Sequence, residues 1–342
     1  MTDGRGTVFL QEEPIPQPTA GEILVKVRCS LISPGTELGG VAARRKNPDE
    51  SFGPRPFGYQ NAGDILALGP DCADRFRVGQ RVACMGNAYA LHATHAVVPQ
   101  NLCFPIDETV SYEEAAFNHL AATALQAVRR AEPLLGENLL VMGLGLIGQL
   151  TAQLGRINGC EVTGADTVKG RLTAARNLGI DLALDPRDPD FTENVLDFTR
   201  GDGVDAGFIC FGGEATQALE QIISVMKTAP DTHRMGRVVI VGGATIHQRF
   251  PTALGNVDIR ASCRTGPGYH DKAWERGRDY PLVIVPWSTR RNVETVLRLI
   301  AGARLDVRSL ITHRFPLEQA AEACDELIAR PDQALGVILQ TD

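Results

Sequence analysis

Asn138-Leu-Leu-Val-Met-Gly143-Leu-Gly145-Leu-Ile-Gly148-Gln-Leu-Thr-Ala-Gln-Leu-Gly-Arg-Ile157 is the stretch whose reading decides the fold. An apolar run, Asn138–Met142, meets three glycines spaced G-x-G-x-x-G, and a helix pattern opens on the last of them. In that setting each glycine has a job. The first permits a tight turn, the second lets backbone approach a pyrophosphate, and the third lets helix and strand pack closely. The free N–H groups of the helix start, Leu146, Ile147 and Gly148, and its positive dipole then face the phosphates. The companion acid is Asp166, 18 residues beyond Gly148, at the end of Glu161-Val-Thr-Gly-Ala165. A carboxylate there accepts from the adenosine ribose hydroxyls and repels a 2′-phosphate, so NAD is expected over NADP. Lys169 and Arg171 stand close by and soften that preference. The plainer reading, glycines that only make a turn and an Asp166 that caps a helix, is outweighed by the strand–helix–strand context.

Outward from this centre, strands and helices alternate. Strands are expected at 138–142, 161–164, 205–210, 237–241 and 257–262, and helices at about 146–157, 170–178, 191–199, 214–227 and 290–301. That alternation is the pattern of a parallel sheet covered on both faces. Residues 1–110 differ: 21–32 alternates apolar and polar, 64–68, 81–84 and 95–98 read as further strands, and proline and glycine punctuate 33–35 and 52–58. A small β-rich barrel is expected there. Ser111-Tyr-Glu-Glu114 has capping-box spacing, and apolar periodicity to Ala131 predicts one long helix. The tail reads as strand 309–315, helix 316–328 and strand 334–340. The class is α/β.

The chain has 342 residues, which suggests two domains at roughly 150 residues each. A formal charge of -7 argues against a nucleic-acid partner, which calls for a basic face. No apolar run approaches the roughly 20 residues that cross a bilayer, so no membrane partner is expected. Residues 1–10 carry Asp3 and Arg5 and no apolar core, so no secretory signal is read. The eight cysteines are scattered without a C-x-x-C pair, which suits neither a disulfide framework nor a zinc ribbon and points to a reduced, cytoplasmic compartment.

Several segments in order carry a resemblance. Gly21–Lys26 followed by Gly35-Thr36-Glu37 resembles the opening strand and C-G-T-D turn of the medium-chain dehydrogenase/reductase family. Phe57-Gly58-Tyr59-Gln60-Asn61-Ala62-Gly63 is similar to that family's G-H-E-x-x-G, and Val78-Gly79-Gln80-Arg81-Val82 to its V-G-D-R-V. The helix Ala115–Arg130, the glycine fingerprint and Leu310-Ile-Thr-His-Arg-Phe-Pro-Leu317 follow in register. The resemblance spans nearly the whole chain. It implies a GroES-like catalytic domain (1–122 and 289–342), a Rossmann domain of doubly wound parallel sheet (123–288), hydride transfer with a small-molecule substrate, and a homodimer. Expected cofactor contacts are Gly143, Gly145, Leu146, Ile147, Gly148, Asp166 and Arg171, with Thr123 and Gly242 added.

The chain departs from the family at its zinc site. The cysteine of C-G-T-D is Pro34, the histidine of G-H-E is Tyr59, its glutamate is Gln60, and the third ligand falls on His119. The four-cysteine structural lobe is absent, Cys84 running directly into Met85–Ala90. A catalytic zinc needs about three protein ligands and an open position, so none is expected. Ser33-Pro-Gly-Thr-Glu37, Gly266-Pro-Gly-Tyr-His270 and Gly277-Arg-Asp-Tyr-Pro281 resemble the branch holding bacteriochlorophyllide hydroxyethyl dehydrogenases and dehydrogenase-like proteins of sugar and polysaccharide clusters. The arginine and tyrosine usual after G-P-G are rearranged here.

Without the metal, hydrogen-bond donors must carry the developing charge. Tyr59 would donate its phenol, His119 would act as general acid–base, Thr36 matches the family's relay hydroxyl, and Glu37 would orient the loop. The relay histidine falls on Gly39, which leaves the outer relay open. Each also has a bland reading: His119 as a hydrogen-bonded core residue, Tyr59 as a packing aromatic, Thr36 as a cap. His92 and His95, three apart in an expected strand, read as surface residues. Tyr269 and His270, with Tyr280, form either a substrate loop or a dimer contact.

The expected function is zinc-independent, NAD(P)-dependent oxidation of a secondary alcohol, or reduction of the ketone, on a sugar, cyclitol or natural-product ring. Three alternatives stand beside it. A metal-free enoyl or quinone reductase would usually prefer NADPH, against Asp166. The others are an enzyme keeping NAD bound for internal redox, as in epimerisation or elimination, and a non-catalytic NAD(H) sensor.

Overall fold

The structure is a computed structural model and describes residues 1–249 and 254–341. The chain divides into two compact units, Met1–Ala122 with Thr265–Asp342, and Thr123–Arg264. It rejoins the first unit at Thr265 rather than at 289, because the segment beyond Thr265 is fastened there. Asn101 Nδ2 donates to the Trp274 carbonyl at 2.6 Å, and Gln100 Nε2 to that of Arg276 at 2.7 Å.

In the first unit, strands β1 (Glu22–Leu31), β2 (Gln60–Leu68), β3 (Arg81–Met85), β4 (His95–Pro99) and β5 (Cys103–Pro105) join the tail strands Ile311–Pro316 and Gly336–Gln340. β1 is the hub, antiparallel to β2, to β4 and to Gly336–Gln340. The tail helix begins as a short 3₁₀ turn, Leu317–Gln319, and continues as Ala320–Ala329. It packs Leu317, Ala323 and Leu327 on Ile32, Val41 and Phe57.

Two local readings change. The stretch read as turns after β1 contains a helix, α1 (Thr36–Lys46). Leu38 and Val41 are the buried apolar residues of α1, and Gly35 before it offers no side-chain cap, so its apolar and capping signals are thin. Charge is the signal that remains, with Glu37 in the first turn and Arg44, Arg45 and Lys46 in the last, matching the helix dipole. The single helix expected to Ala131 is two, α2 (Tyr112–Ala115) and α3 (Asn118–Ala131). Ser111 and Glu114 do form the expected capping box. The break follows from Asn118, whose side-chain amide donates to the Ala115 carbonyl (3.0 Å) and to that of Cys84 (3.1 Å). It takes the acceptor that a continuing helix would use.

The second unit is built on a six-stranded parallel sheet: β6 (Asn138–Met142), β7 (Glu161–Ala165), β8 (Leu182–Leu184), β9 (Ala206–Ile209), β10 (Met235–Ile240) and β11 (Asn256–Ala261). The order across it is β11-β10-β9-β6-β7-β8. Leu139 and Val141 of β6 enter one apolar cluster and Leu140 and Met142 another, so this strand is buried on both faces. Helix α4 (Leu146–Ile157) follows β6 directly, and Lys169–Asn177, Phe191–Phe198 and Thr216–Ser224 cover the sheet. Chain order reverses between β6 and β9. In such sheets the crevice beyond the carboxyl ends of those two strands is where ligands bind. No helix among the described residues is long and apolar enough to cross a membrane.

Candidate functional site

The glycine turn sits at that reversal point. Gly143 has φ +90° and its N–H donates to the Ala165 carbonyl at 2.8 Å. A Cβ on Gly148 would fall 1.7 Å from the Gly143 carbonyl oxygen, so only glycine lets α4 seat against the turn. A Cβ on Gly145 would meet nothing within 4 Å, which leaves the space before the first N–H groups of α4, at Leu146 and Ile147, open. Asp166 is buried and tied to this turn. One carboxylate oxygen accepts from Leu144 N (2.7 Å), the other from Val168 N (2.8 Å), and Arg171 Nη1 lies 3.5 Å away. Lone pairs remain on both oxygens for ribose hydroxyls.

Gln149 escaped the sequence reading. Its buried amide donates to the carbonyls of Leu144 (3.1 Å) and Arg171 (2.9 Å), locking the turn to the helix that carries Arg171. Gly242 lies exposed beyond β10, where a Cβ would fall 2.5 Å from the Phe211 carbonyl. Thr123 is half-buried on α3.

The second cluster belongs to the first unit. Tyr59, just before β2, and His119, on α3, are both buried, their ring centroids 4.5 Å apart near edge-on. Tyr269 also meets His119 edge-on, the ring centroids 5.5 Å apart at 88°. His119 Nδ1 lies 3.4 Å from the Tyr59 carbonyl. Burial pushes the Tyr59 phenol far above its ordinary value, and the Glu37 charge pushes it further, while hydrogen bonds with the Ser33 and Thr36 hydroxyls pull back. The phenol is therefore held protonated. Thr36 is exposed as the first residue of α1, so it follows the cap position rather than filling it. Glu37 Oε2 accepts from Ser33 N at 2.7 Å, tying α1 to the turn before it.

Gln60 is a brace: its amide donates to the Leu31 carbonyl (3.2 Å) and accepts from Leu120 N (3.3 Å), joining β1 to α3. His92, read as a surface strand residue, is neither. It lies buried ahead of β4, 2.7 Å from the Ser30 hydroxyl through Nδ1, its ring 5.0 Å from that of Phe57. Gly58 opens the room, since a Cβ there would fall 2.3 Å from His92 N. His95 does begin β4 and is half-buried.

Tyr269 and His270 stack at 3.9 Å, and the Tyr269 hydroxyl accepts from Asn87 N at 2.7 Å. His270 is exposed with φ +76°, a conformation that costs a non-glycine residue energy. Glu275, also missed, fixes it: this buried carboxylate accepts from His270 N (2.8 Å), the Tyr89 hydroxyl (3.3 Å) and Lys272 Nζ (3.3 Å). Tyr280 stands apart, bonded to Asp271. Tyr59, His119 and Tyr269 thus come together, with Thr36 and Glu37 at the phenol and His270 on the outer face of Tyr269. Among the described residues no group of three or more His, Cys, Asp or Glu side chains is arranged to hold a metal ion.

Comparison with known proteins shows what the chain is similar to. Residues 147–276 match the family model described as zinc-binding dehydrogenase. Sorbitol dehydrogenase of Mus musculus is 25% identical, the alignment covering 100% of this chain and 95% of that protein. L-threonine 3-dehydrogenase of Pyrococcus furiosus is 26% identical over 90% of this chain and 87% of its own. Among solved structures, galactitol-1-phosphate dehydrogenase from Escherichia coli superposes with a TM-score of 0.77 at 20% identity, covering 99% of this chain and 98% of its own. An Escherichia coli oxidoreductase/dehydrogenase of unknown specificity reaches 0.79 at 18% identity, covering 100% and 99%. These two likenesses establish the fold.

Proposed function

We infer the function from one premise: the chain belongs to the medium-chain dehydrogenase/reductase family, as an oxidoreductase of the alcohol dehydrogenase type. On it we propose a zinc-independent, NAD-dependent enzyme that interconverts a secondary alcohol and a ketone on a sugar, cyclitol or natural-product ring. The observation that carries this reading is the Tyr59 phenol, buried and protonated, beside an imidazole and two hydroxyls at the place where the family puts zinc. Pro34 offers no donor atom, and a phenol pushed upward resists the deprotonation that metal ligation demands. The donor set does not fit the ion.

A zinc ion contributes several kcal/mol to such a transition state, and one well-placed hydrogen-bond donor about 2.7–4 kcal/mol. Two or three donors therefore suffice. In ketone reduction Tyr59 donates to the carbonyl oxygen as charge gathers there. In alcohol oxidation Tyr59 takes the hydroxyl proton while passing its own to Thr36, whose exposed position hands it to solvent. His119, in edge-on contact with both Tyr59 and Tyr269, orients the phenol and serves as general acid–base. Tyr269 and His270 present the aromatic and polar surface for the substrate ring.

The turn Gly143–Gly148 and Asp166 would hold the dinucleotide, with its pyrophosphate at the start of α4 and its ribose at the carboxylate. When bound, it supplies the hydride acceptor or donor. The Asp166 charge favours NAD over NADP. A reducing, cytoplasmic setting fits the eight free cysteines, and the proposal includes the family's usual homodimer.

Native mass spectrometry of metal-replete protein, with turnover of ring alcohols and NAD, tests the proposal. Zinc-free chains that reduce NAD support it. One tightly held zinc per chain overturns the donor-based mechanism. Retained NAD with no net turnover moves the reading to internal redox.

A further inference from the structure

Glu37 and His92 form a contact that the mechanism above does not use. Their side chains are 6% and 2% exposed. Glu37 Oε1 and His92 Nε2 are buried, have no hydrogen-bond partner, and lie 3.4 Å from each other. The far end of each group is pinned: Glu37 Oε2 by Ser33 N at 2.7 Å, and His92 Nδ1 against Ser30 Oγ at 2.7 Å. Neither side chain can turn to water without breaking its anchor.

Two bare lone pairs do not face one another in a dry pocket, because each is then desolvated and unpaired. A proton must lie between them. With that proton on Nε2, Nδ1 meets the Ser30 hydroxyl and every polar atom of the pair is satisfied. We propose that His92 is a positioning residue for Tyr59, acting through Glu37: its Nε2–H holds the Glu37 carboxylate in place and tempers the negative charge beside the phenol.

The charge link is already visible at Tyr59, where Glu37 is the largest influence after burial. Cys324 on the tail helix also faces Glu37 and is pushed up to about 12 chiefly by burial, so a neutral thiol offers Glu37 no compensating charge. His92 supplies the compensating N–H. The proposal rests on the alcohol–ketone reading for its catalytic consequence, and on the geometry alone for the shared proton.

The test uses the full chain labelled with ¹⁵N-histidine and ¹³Cζ-tyrosine. Signals are assigned by His92→Phe and Tyr59→Phe. The expected wild-type His92 spectrum is the Nε2-protonated tautomer, its Nε2–H shift moving in Glu37→Gln. The Tyr59 ¹³Cζ signal is expected to move in His92→Phe and to return in His92→Gln, whose amide restores an N–H to Glu37. On a ring alcohol, His92→Phe lowers kcat/KM by about ten-fold or more with the KM for NAD unchanged, and His92→Gln recovers most of it. A His92 bare at Nε2, or a Tyr59 signal indifferent to His92, overturns the proposal. The wild-type and His92→Gln spectra decide it even where His92→Phe fails to fold. They also decide it where no alcohol is turned over, which separates its failure from that of the functional reading.

Discussion

Tyr59→Phe removes one oxygen atom and keeps the ring, so it isolates the phenol as donor. The Phe ring can still meet His119 edge-on at the 4.5 Å spacing. Loss of one preorganised donor in a water-poor site costs about 2.7–4 kcal/mol of transition-state stabilisation, a factor of about 10²–10³ in kcat. The folded state loses less. Thr36 is exposed and finds water, whereas the buried Ser33 hydroxyl is left short of a partner, a penalty of about 1–3 kcal/mol. The assay is kcat/KM with a ring alcohol and NAD, beside NAD affinity by fluorescence quenching and the thermal midpoint. The expected result is activity down by about 10²–10³ with NAD affinity unchanged, because the turn proposed to hold the dinucleotide belongs to the other unit. Activity within about three-fold of wild type would refute the reasoning, since no donor of this class contributes so little.

Gly148→Ala puts a methyl group 1.7 Å from the Gly143 oxygen, so α4 must shift; NAD binding by calorimetry should vanish and the thermal midpoint should fall, the overpacking costing about 1–3 kcal/mol. Asp166→Asn removes the charge and keeps only one of the two bonds from Leu144 N and Val168 N, since its amide nitrogen cannot accept; the NADP/NAD ratio of kcat/KM should rise roughly ten-fold, one unit charge near a phosphate being worth about 1–2 kcal/mol. Tyr59 also predicts a pH effect on stability: its folded phenol is raised above the ordinary value near 10, so its contribution is complete below about pH 10 and is lost as pH rises beyond it. The wild-type thermal midpoint should therefore drop more between pH 9 and pH 11 than that of Tyr59→Phe. Glu275→Ala frees His270 from its left-handed turn, and KM for the alcohol should rise while KM for NAD holds.

The second unit was legible because its signals are local and periodic. β6 and α4 stand where the apolar run and helical spacing put them, and the role of Gly148 follows from one steric contact that any such turn must make. The first unit was less legible because its decisive contacts are long-range. α1 hides because Leu38 and Val41 are its only buried apolar residues. The break between α2 and α3 is set by Asn118 reaching Cys84, 34 residues earlier, which no local pattern reports. His92 was misread for a similar reason. Period-2 reasoning assumes the strand has already begun, whereas β4 starts three residues later at His95. The identities at Pro34, Tyr59 and His119 were readable by position, while their meeting with Tyr269 needed the fold, since Asn87 N, 182 residues earlier in the chain, holds the hydroxyl of that tyrosine.

The proposed loss of zinc and the presence of the phenol are one change rather than two. A metal ion at this place would pull the proton from Tyr59, whereas burial and the Glu37 charge both keep it on. A phenol pushed well above its ordinary value keeps its proton and can donate to a carbonyl oxygen, and by the same shift it resists serving as an anionic ligand. Pro34 removes a second ligand on the adjoining turn, and His119, with its Nδ1 toward the Tyr59 carbonyl, is left as one imidazole without a ligand set. Restoring a single ligand, as in Tyr59→His, should therefore recruit no zinc at stoichiometric concentration. Tyr59→His combined with Pro34→Cys supplies three donors with His119, and elemental analysis of that pair of substitutions is where zinc uptake should first be seen.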